Sequence, residues 1–393
     1  MLTAENIINP ATAYSSSLKL PAAGARNSNT GGLYVLGSYG CYWSGTPRNA
    51  NALYPYFYSI GNSIGLNPAS DGYRTMGLSV RCIKTGCLDV WTPKESNRTW
   101  QGITMSSDGT KQTAVALYDK IYASSDSGNT WTPKDSDREW VGVAMSSDGT
   151  KQTAVTRNGD SAKGNSRIYI STDSGNSWTA KGPTAGWSGV AMSSDGTKQV
   201  AIGWVNSSLA DSIYVSTDSG NTWNIKSSNN ASLRNVAMSS DGTKITVTSD
   251  GYYHGIYIST DSGNTWTRKE SAHYWWAIAM SPDGSKQTAA AESNAVDTSG
   301  GGIYVSTDFG STWTRKTTIN IWAVDMSSDG SKQTAVARSN GKIYFSTDSG
   351  NTWTLKQLTG DWDGIAMSSD GTKQTAITWG DKIYITSDSS GCH

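Results

Sequence analysis

The chain has 393 residues, 32 basic and 32 acidic side chains, and a formal net charge of zero. That length admits two or three domains. Neutrality without clustered Lys and Arg argues against a nucleic-acid partner, and no apolar run approaches the roughly 18–20 residues of a membrane helix, so no membrane insertion is expected. Gly (42), Trp (17) and Tyr (19) are abundant and Phe (3) is scarce, a profile of many short strands joined by glycine turns. The opening stretch MLTAENIINPATAYSSS has neither a basic region nor an apolar core, so it is not read as a secretory leader. That leaves a cytoplasmic chain, a processed one, or one exported another way, for example as a virion part.

Residues 1–86 do not repeat. They contain LKLPAAGARN, GSYGCYWSGTP and GYRTMGLSVRCIK. Through Tyr42-Trp43-Ser44 and Ser79-Val80-Arg81-Cys82, the span of about 18–84 resembles the C-terminal part of the Fibrobacter succinogenes major paralogous domain. The resemblance implies a small α+β fold like C-type lectins or formylglycine-generating enzymes. It also implies a bias toward surface display and ligand binding. The first half of that family has no counterpart here, so either the domain is minimal or another protein chain completes it. No active residue carries over.

From residue 87 onward two elements alternate. One reads ITMSSDGTKQTAV at 103–115 and returns, slightly varied, at 143, 190, 236, 278, 324 and 365, seven copies spaced by 40 to 47 residues. The other reads IYVSTDSGNTWN at 213–224, with five near-copies and a broken seventh, IYITSDSSGCH, at the end. A period in this range with short strands points to propeller blades. Each unit divides into four strands: Trp-x-Gly-Val-Ala-Met, a tight Asp-Gly hairpin, Gln-Thr-Ala-Val, a variable loop, Ile-Tyr-Val-Ser, a turn, and Thr-Trp-Thr-x-Lys. The expected fold class is therefore all-β: a seven-bladed propeller of four-stranded antiparallel blades at 87–393, preceded by the lectin-like segment 1–86.

The last unit lacks its fourth strand. CLDVWTPK at 87–94 supplies it, because Val90–Lys94 matches the TWTPK ending of the first full unit. Strand 90–94 would then close the ring and remove two exposed edges. Closure brings Cys87 and Cys392 together as a disulfide, leaving Cys41 and Cys82 as the second pair. Four cysteines so paired suit an oxidising compartment, so the expected location is extracellular, on a cell surface or in a virion; the alternative is four free thiols.

The turn Ser-x-Asp-x-Gly-x-Thr-Trp stands at Ser124–Trp131, Ser171–Trp178, Ser216–Trp223, Ser259–Trp266, Ser306–Trp313 and Ser346–Trp353, with Ser177 for Thr in the second. It resembles the Asp-box, or BNR repeat. That resemblance implies a structural role for Asp126, Asp173, Asp218, Asp261, Asp308 and Asp348. Local chemistry agrees: the carboxylate can accept turn N–H groups, glycine supplies an unusual φ, and tryptophan plugs the blade.

Repetition marks scaffold, so function is sought where the units differ: in the loops between second and third strands and the links between units. These are rich in Asn, Ser, Asp, Gly, Tyr and Trp, groups suited to sugar hydroxyls and sugar C–H faces. The candidate ligand-binding residues are Trp204, Tyr252, Tyr253, His254, His273, Tyr274, Trp275 and Trp379, each weighed against local packing. Trp100, Trp140, Trp187, Trp276, Trp322 and Trp362 recur at the start of the first strand, with Asn235 or its neighbourhood in the fourth unit. They are read as packing between blades, or else as one lectin pocket per blade junction.

Asp-box proteins include sialidases, which need an arginine triad, a Tyr–Glu pair and an Asp acid. The Arg-Ile-Pro motif is absent, and Arg98, Arg138, Arg157, Arg234 and Arg338 share no motif. Another glycosidase would need two carboxylates about 5–10 Å apart. Glu139, Asp211, Glu270, Glu292, Asp361 and Asp363 are the loop candidates, and sequence does not pair them. No nucleophile triad, metal cluster, EF-hand or phosphate loop is present, so no catalytic residue, cofactor or metal is assigned. The reading is a non-catalytic binding or adhesion protein for a glycan or another surface ligand. Alternatives are a component of a larger assembly, such as a phage fibre or surface filament, and a glycosidase of sialidase-like architecture.

Overall fold

A computed structural model describes residues 91–157, 166–204, 211–229, 232–250, 255–271, 273–292, 301–338, 341–356 and 360–387, with separate strands between residues 25 and 78. The chain divides into two compact units, Met1–Cys87 and Leu88–His393. No helix occurs among the described residues.

In the first unit, Asn51–Ile60 pairs antiparallel with Ser63–Tyr73 and carries Gly40–Cys41 and Pro47–Arg48 on its other edge. Ala25–Arg26 lies between Leu33–Tyr34 and Gly77–Leu78. Cys82, Cys87 and Cys392 lie outside the described residues, and so do both expected disulfides.

The second unit is built from four-stranded antiparallel sheets. Gly186–Met192, Gln199–Trp204, Asp211–Ser216 and Asn224–Asn229 form one in chain order. The pattern returns in Leu233–Met238 to Thr267–Ser271, in Tyr274–Met280 to Thr314–Thr317 and in Ala323–Met326 to Thr354–Lys356. Elsewhere long strands run from one repeat into the next. Thr132–Met145 pairs with Gln112–Ser124 through its first half and with Gln152–Thr156 through its second. Thr92–Met105 does the same between Lys373–Ser387 and Gln112–Ser124, with Thr92 opposite Ile385 and Lys94 opposite Ile383. The second strands are enclosed on both faces: every residue of Gln152–Thr156, Ile245–Ser249 and Gln333–Val336 is buried.

Local chemistry explains both repeated turns. In the Asp-Gly hairpin, Asp108 Oδ1 accepts from the Ser106 hydroxyl at 2.6 Å and from the Thr110 N–H at 2.9 Å. Gly109 takes φ +67°, a left-handed geometry that costs glycine nothing. In the second turn, the Gly128 N–H donates to Ser124 Oγ at 2.9 Å and the Thr130 N–H to Asp126 Oδ1 at 2.8 Å. The Trp131 indole donates to the Gly128 carbonyl at 2.9 Å, fixing the ring as a plug.

Repeats are joined by side chains that bridge consecutive sheets. Thr113 donates to Gln152, Thr153 to Gln199, Thr246 to Gln287, Thr288 to Gln333, Thr334 to Gln374 and Thr375 to Gln112, all buried. One step lacks this pair. There the threonine position holds Val200 and the glutamine position holds Ile245, and both sit in one apolar cluster. A polar pair has been exchanged for an apolar one on both sides at once. Lysines add a second bridge: Lys111 Nζ reaches the Asp148 carbonyl and Ser174 Oγ, and Lys373 Nζ reaches the Asp108 carbonyl and Ser127 Oγ. Where Phe309 replaces that turn serine, Lys244 Nζ lies over its ring, 5.1 Å from the centroid.

Two outcomes follow from these contacts. Val200→Thr and Ile245→Gln should each cost about 1–3 kcal/mol in chemical denaturation, since each buries a polar group without its partner, and the double variant should recover most of the loss. Additive losses would show that the two positions do not communicate. Second, Asp108, Asp148, Asp195, Asp241, Asp283 and Asp329 are held down to about 2, chiefly by the serine hydroxyl two residues earlier. Their folded-state values lie below the ordinary 3.8, so their stabilisation is present above that pH and lost as pH falls toward 2. Thermal melts between pH 5 and 2 should show the fall concentrated below pH 4.

Candidate functional site at the bulged ends of the first strands

Counting back five residues from the methionine that ends each first strand gives Trp100, Trp140, Trp187, Leu233, Trp275, Ile321 and Trp362. All seven are buried. Five are tryptophans, each edge-on to a third-strand tyrosine with centroids 4.9–5.2 Å apart, as in Trp100–Tyr122 and Trp275–Tyr304. This corrects the sequence register. Trp276 and Trp322 are not members of the repeated set, and neither is Asn235. The buried places in those units belong to Trp275, Ile321 and Leu233.

The residue that follows the buried one varies, with six residue types in seven places: Gln101, Val141, Ser188, Arg234, Trp276, Trp322 and Asp363. In six units the pairing register shifts across this position, as between Trp100 and Gly102 or between Trp275 and Ala277. Such a bulge takes one residue out of the ladder and re-aims its side chain. The scaffold therefore sets a variable side chain at a fixed backbone geometry in six repeats, half-buried in five of them and buried at Val141.

In four successive repeats these positions and their neighbours form a continuous series of contacts. Arg234 lies over Trp276 at 4.8 Å, and Trp276 stacks on Trp322 with centroids 4.5 Å apart and planes 26° apart. Arg338 lies 4.7 Å from the Trp322 centroid and 4.6 Å from that of Trp379. Arg338 Nε is also 3.7 Å from Asp361 Oδ1 and 3.7 Å from Asp363 Oδ1. Gln101 Nε2 donates to Asp363 Oδ2 at 3.1 Å. Arg234 is paired with Asp250.

Burial raises the Asp363 carboxyl to about 6; Arg338 opposes the shift and Asp361 adds to it. Asp363 Oδ1 and Trp276 Nε1 are enclosed and have no hydrogen-bond partner. Asp325, where most copies have alanine, accepts from the Met326 N–H at 2.8 Å and the Met367 N–H at 2.7 Å. Desolvation pushes its carboxyl up to about 7.

The sequence-predicted ligand residues scatter. Trp275 is fully buried against Tyr304 and Trp313, so no ligand reaches it. His273 is also buried, its Nε2 2.9 Å from Tyr304 Oη. Trp204 is half-buried over Gly186, where an added Cβ would stand 2.2 Å from its ring. Tyr274 is half-buried in its strand. Tyr252, Tyr253 and His254 lie outside the described residues. Only Trp379, 40% exposed, falls in the contact series. Of the weighed carboxylates, Asp361 and Asp363 meet at Arg338. Glu139 is buried, Asp211 is buried and accepts from the Leu233 N–H, and Glu292 is exposed. The six turn aspartates each accept a backbone N–H at 2.8–2.9 Å.

Four residues beyond the bulges, the first strands end in seven methionines that line, with the serines after them, a cavity of about 190 Å³. Backbone bonds run from Ser107 to Ser147, Ser194, Ser240 and Pro282, and from Ser328 to Ser369 to Ser107. Pro282 has no N–H with which to donate to Ser328. Among the described residues no cluster of three or more His, Cys, Asp and Glu could hold a metal, and no helix is long and apolar enough to cross a membrane.

No protein-family model matches the chain, and neither does any curated protein. Solved structures do match. YCF48 bound to D1 peptide superposes with a TM-score of 0.57 at 15% identity, over 76% of this chain and 96% of that one. A GH74 xyloglucanase from Xanthomonas campestris gives 0.61 at 13% identity over 76% of this chain and 54% of that one, so this chain spans about half the enzyme. Hydrazine synthase from Kuenenia stuttgartiensis gives 0.59 at 12% identity, over 76% and 98%. At these identities the likeness shows the fold alone: the chain is a β-propeller protein with blades of four antiparallel strands.

Asp325 supplies a test of the interior electrostatics. Its folded-state value, about 7, lies above the ordinary 3.8, so the folded chain loses stability as pH rises between the two. Replacing Asp325 with Ala should shift relative stability in the variant's favour between pH 5 and pH 8, by about 2–3 kcal/mol. An equal difference at both pH values would mean that this carboxyl does not titrate abnormally.

Proposed function

We propose that this chain is a non-catalytic binding protein that recognises a glycan or another surface ligand outside the cell, through the variable face of the propeller. The observation that carries the reading is the series Arg234, Trp276, Trp322, Arg338 and Trp379, placed on bulges and strand ends where the repeat is broken. The repeated turns, by contrast, spend their polar groups on one another and on adjoining repeats.

The finer architecture belongs to the same proposal: seven Asp-box blades, closed by pairing of the first strand with the last, and a lectin-like segment at 1–86. Supporting closure are the pairing of Thr92–Met105 with Lys373–Ser387 and the bonds from Thr375 to Gln112 and from Lys373 to Asp108. The turn bonds around Asp126 support the Asp-box identity. Asp361 and Asp363 invite a glycosidase reading, but both carboxylates are engaged by Arg338 and one also by Gln101. That engagement favours binding over catalysis.

The test is a broad glycan array probed with the full chain and with Trp379→Ala, both checked for folding by thermal melt. Binding to a defined glycan class that the variant loses is the expected result. A folded parent that binds nothing would overturn the glycan reading and favour a component of a larger assembly, to be sought through protein and peptide partners.

A further inference from the structure

Resting on that reading, we infer that the ligand group held beside Arg338 is a neutral sugar ring, stacked on the open face of Trp379 with its hydroxyls directed to Asp361.

Three observations converge. First, Trp379 is a fixed platform. Its backbone N–H donates to the Asp361 carbonyl at 2.8 Å, and its backbone stands opposite Thr99 in the strand pairing. Arg338 covers part of the indole while 40% of the residue stays open. An exposed indole held in place is costly to leave in water and suits the apolar C–H face of a pyranose.

Second, the local charges are already matched. Arg338 has carboxylate oxygens of Asp361 and Asp363 at 3.7 Å on the same Nε, and Arg157 acts on Asp363 as well. Arg234 is paired with Asp250. Arg338 therefore already serves two aspartates at the platform, and the next arginine along has its own carboxylate. A uronate, sialate or sulfate would have to displace one of these pairs. A neutral sugar displaces none, and its hydroxyls can donate to the carboxylate of Asp361, whose side chain is 49% exposed.

Third, Asp361 keeps a water-exposed carboxylate beside the platform, its side chain 49% exposed. Sugar hydroxyls can donate to that carboxylate as water does. An aromatic or aliphatic peptide side chain on Trp379 would strip its water and return no hydrogen bond.

The experiment titrates the full chain with neutral oligosaccharides (gluco-, manno-, galacto- and xylo-oligomers) and with acidic ones (oligogalacturonate, sialyllactose, heparin oligomers). Binding is followed by calorimetry and tryptophan fluorescence, with Trp379→Ala, Trp379→Tyr and Asp361→Asn alongside, each shown by thermal melt to be folded. A neutral oligomer should bind with little dependence on salt. Trp379→Ala should weaken it roughly tenfold or more, Asp361→Asn by a few fold, and Trp379→Tyr should retain most of the affinity. Tighter, salt-sensitive binding of an acidic oligomer would overturn the inference while leaving glycan recognition standing. Neutral binding untouched by Trp379→Ala would do the same for the site. Failure of every saccharide with folded parent would remove both this inference and the reading beneath it, and the same titration with peptide pools would then decide for a protein ligand.

Discussion

At every joint between repeats but one, a buried threonine hydroxyl is bonded to a glutamine amide, and the rest of the structure depends on that contact. The second strands are enclosed on both faces, so any polar group there must find a partner or impose a cost comparable to a whole hydrogen bond. The Gln112 amide also donates to the carbonyl of Gly109 in its own hairpin. One side chain thus fixes the tip of its own hairpin and the distance to its neighbour. Asp108 and Lys111 then position the tip itself, through bonds that begin within a few residues and end one repeat away.

Rigidity of this kind frees the ends of the first strands. Because the buried residue and the methionine five places later are both fixed, the bulged residue between them is free to vary, from Val141 packed into an apolar cluster to charged and aromatic side chains elsewhere. Val141 and Ser188 occupy the same backbone position as Arg234, Trp276 and Asp363. A scaffold so regular needs only substitution at these points, and in the adjoining strand ends, to assemble an arginine–tryptophan series across four repeats.

Much of this was legible in the sequence, and the reason is distance along the chain. The hairpins, the tryptophan-plugged turns and the four-strand division follow from contacts among residues two to five apart. The site was not legible in the same way. Arg338 meets Asp361, Asp363 and Trp379 only after a return through two strands, and Trp276 meets Trp322 across two repeats. Counting tryptophans instead of counting from the methionine placed Trp276 and Trp322 in the repeated set. The same shift left Trp275 among the ligand candidates, when it belongs to the core. His273 looked like a loop residue and proved to be packed against Trp275 and Tyr304, because a polar side chain in a variable link can be buried as readily as exposed.

Near-identical repeats carry a hazard that ordinary domains do not: any second strand could dock beside almost any other during folding. Val200 and Ile245 act as an address on one joint. If the repeat bearing Val200 met a copy with glutamine, or the repeat bearing Ile245 met a copy with threonine, a buried amide or hydroxyl would be stranded at about 1–3 kcal/mol. Lys244 over Phe309 labels the following joint in the same sense. Two departures from the consensus, invisible as chemistry in isolation, thereby number the repeats and bias the chain toward assembling them in order.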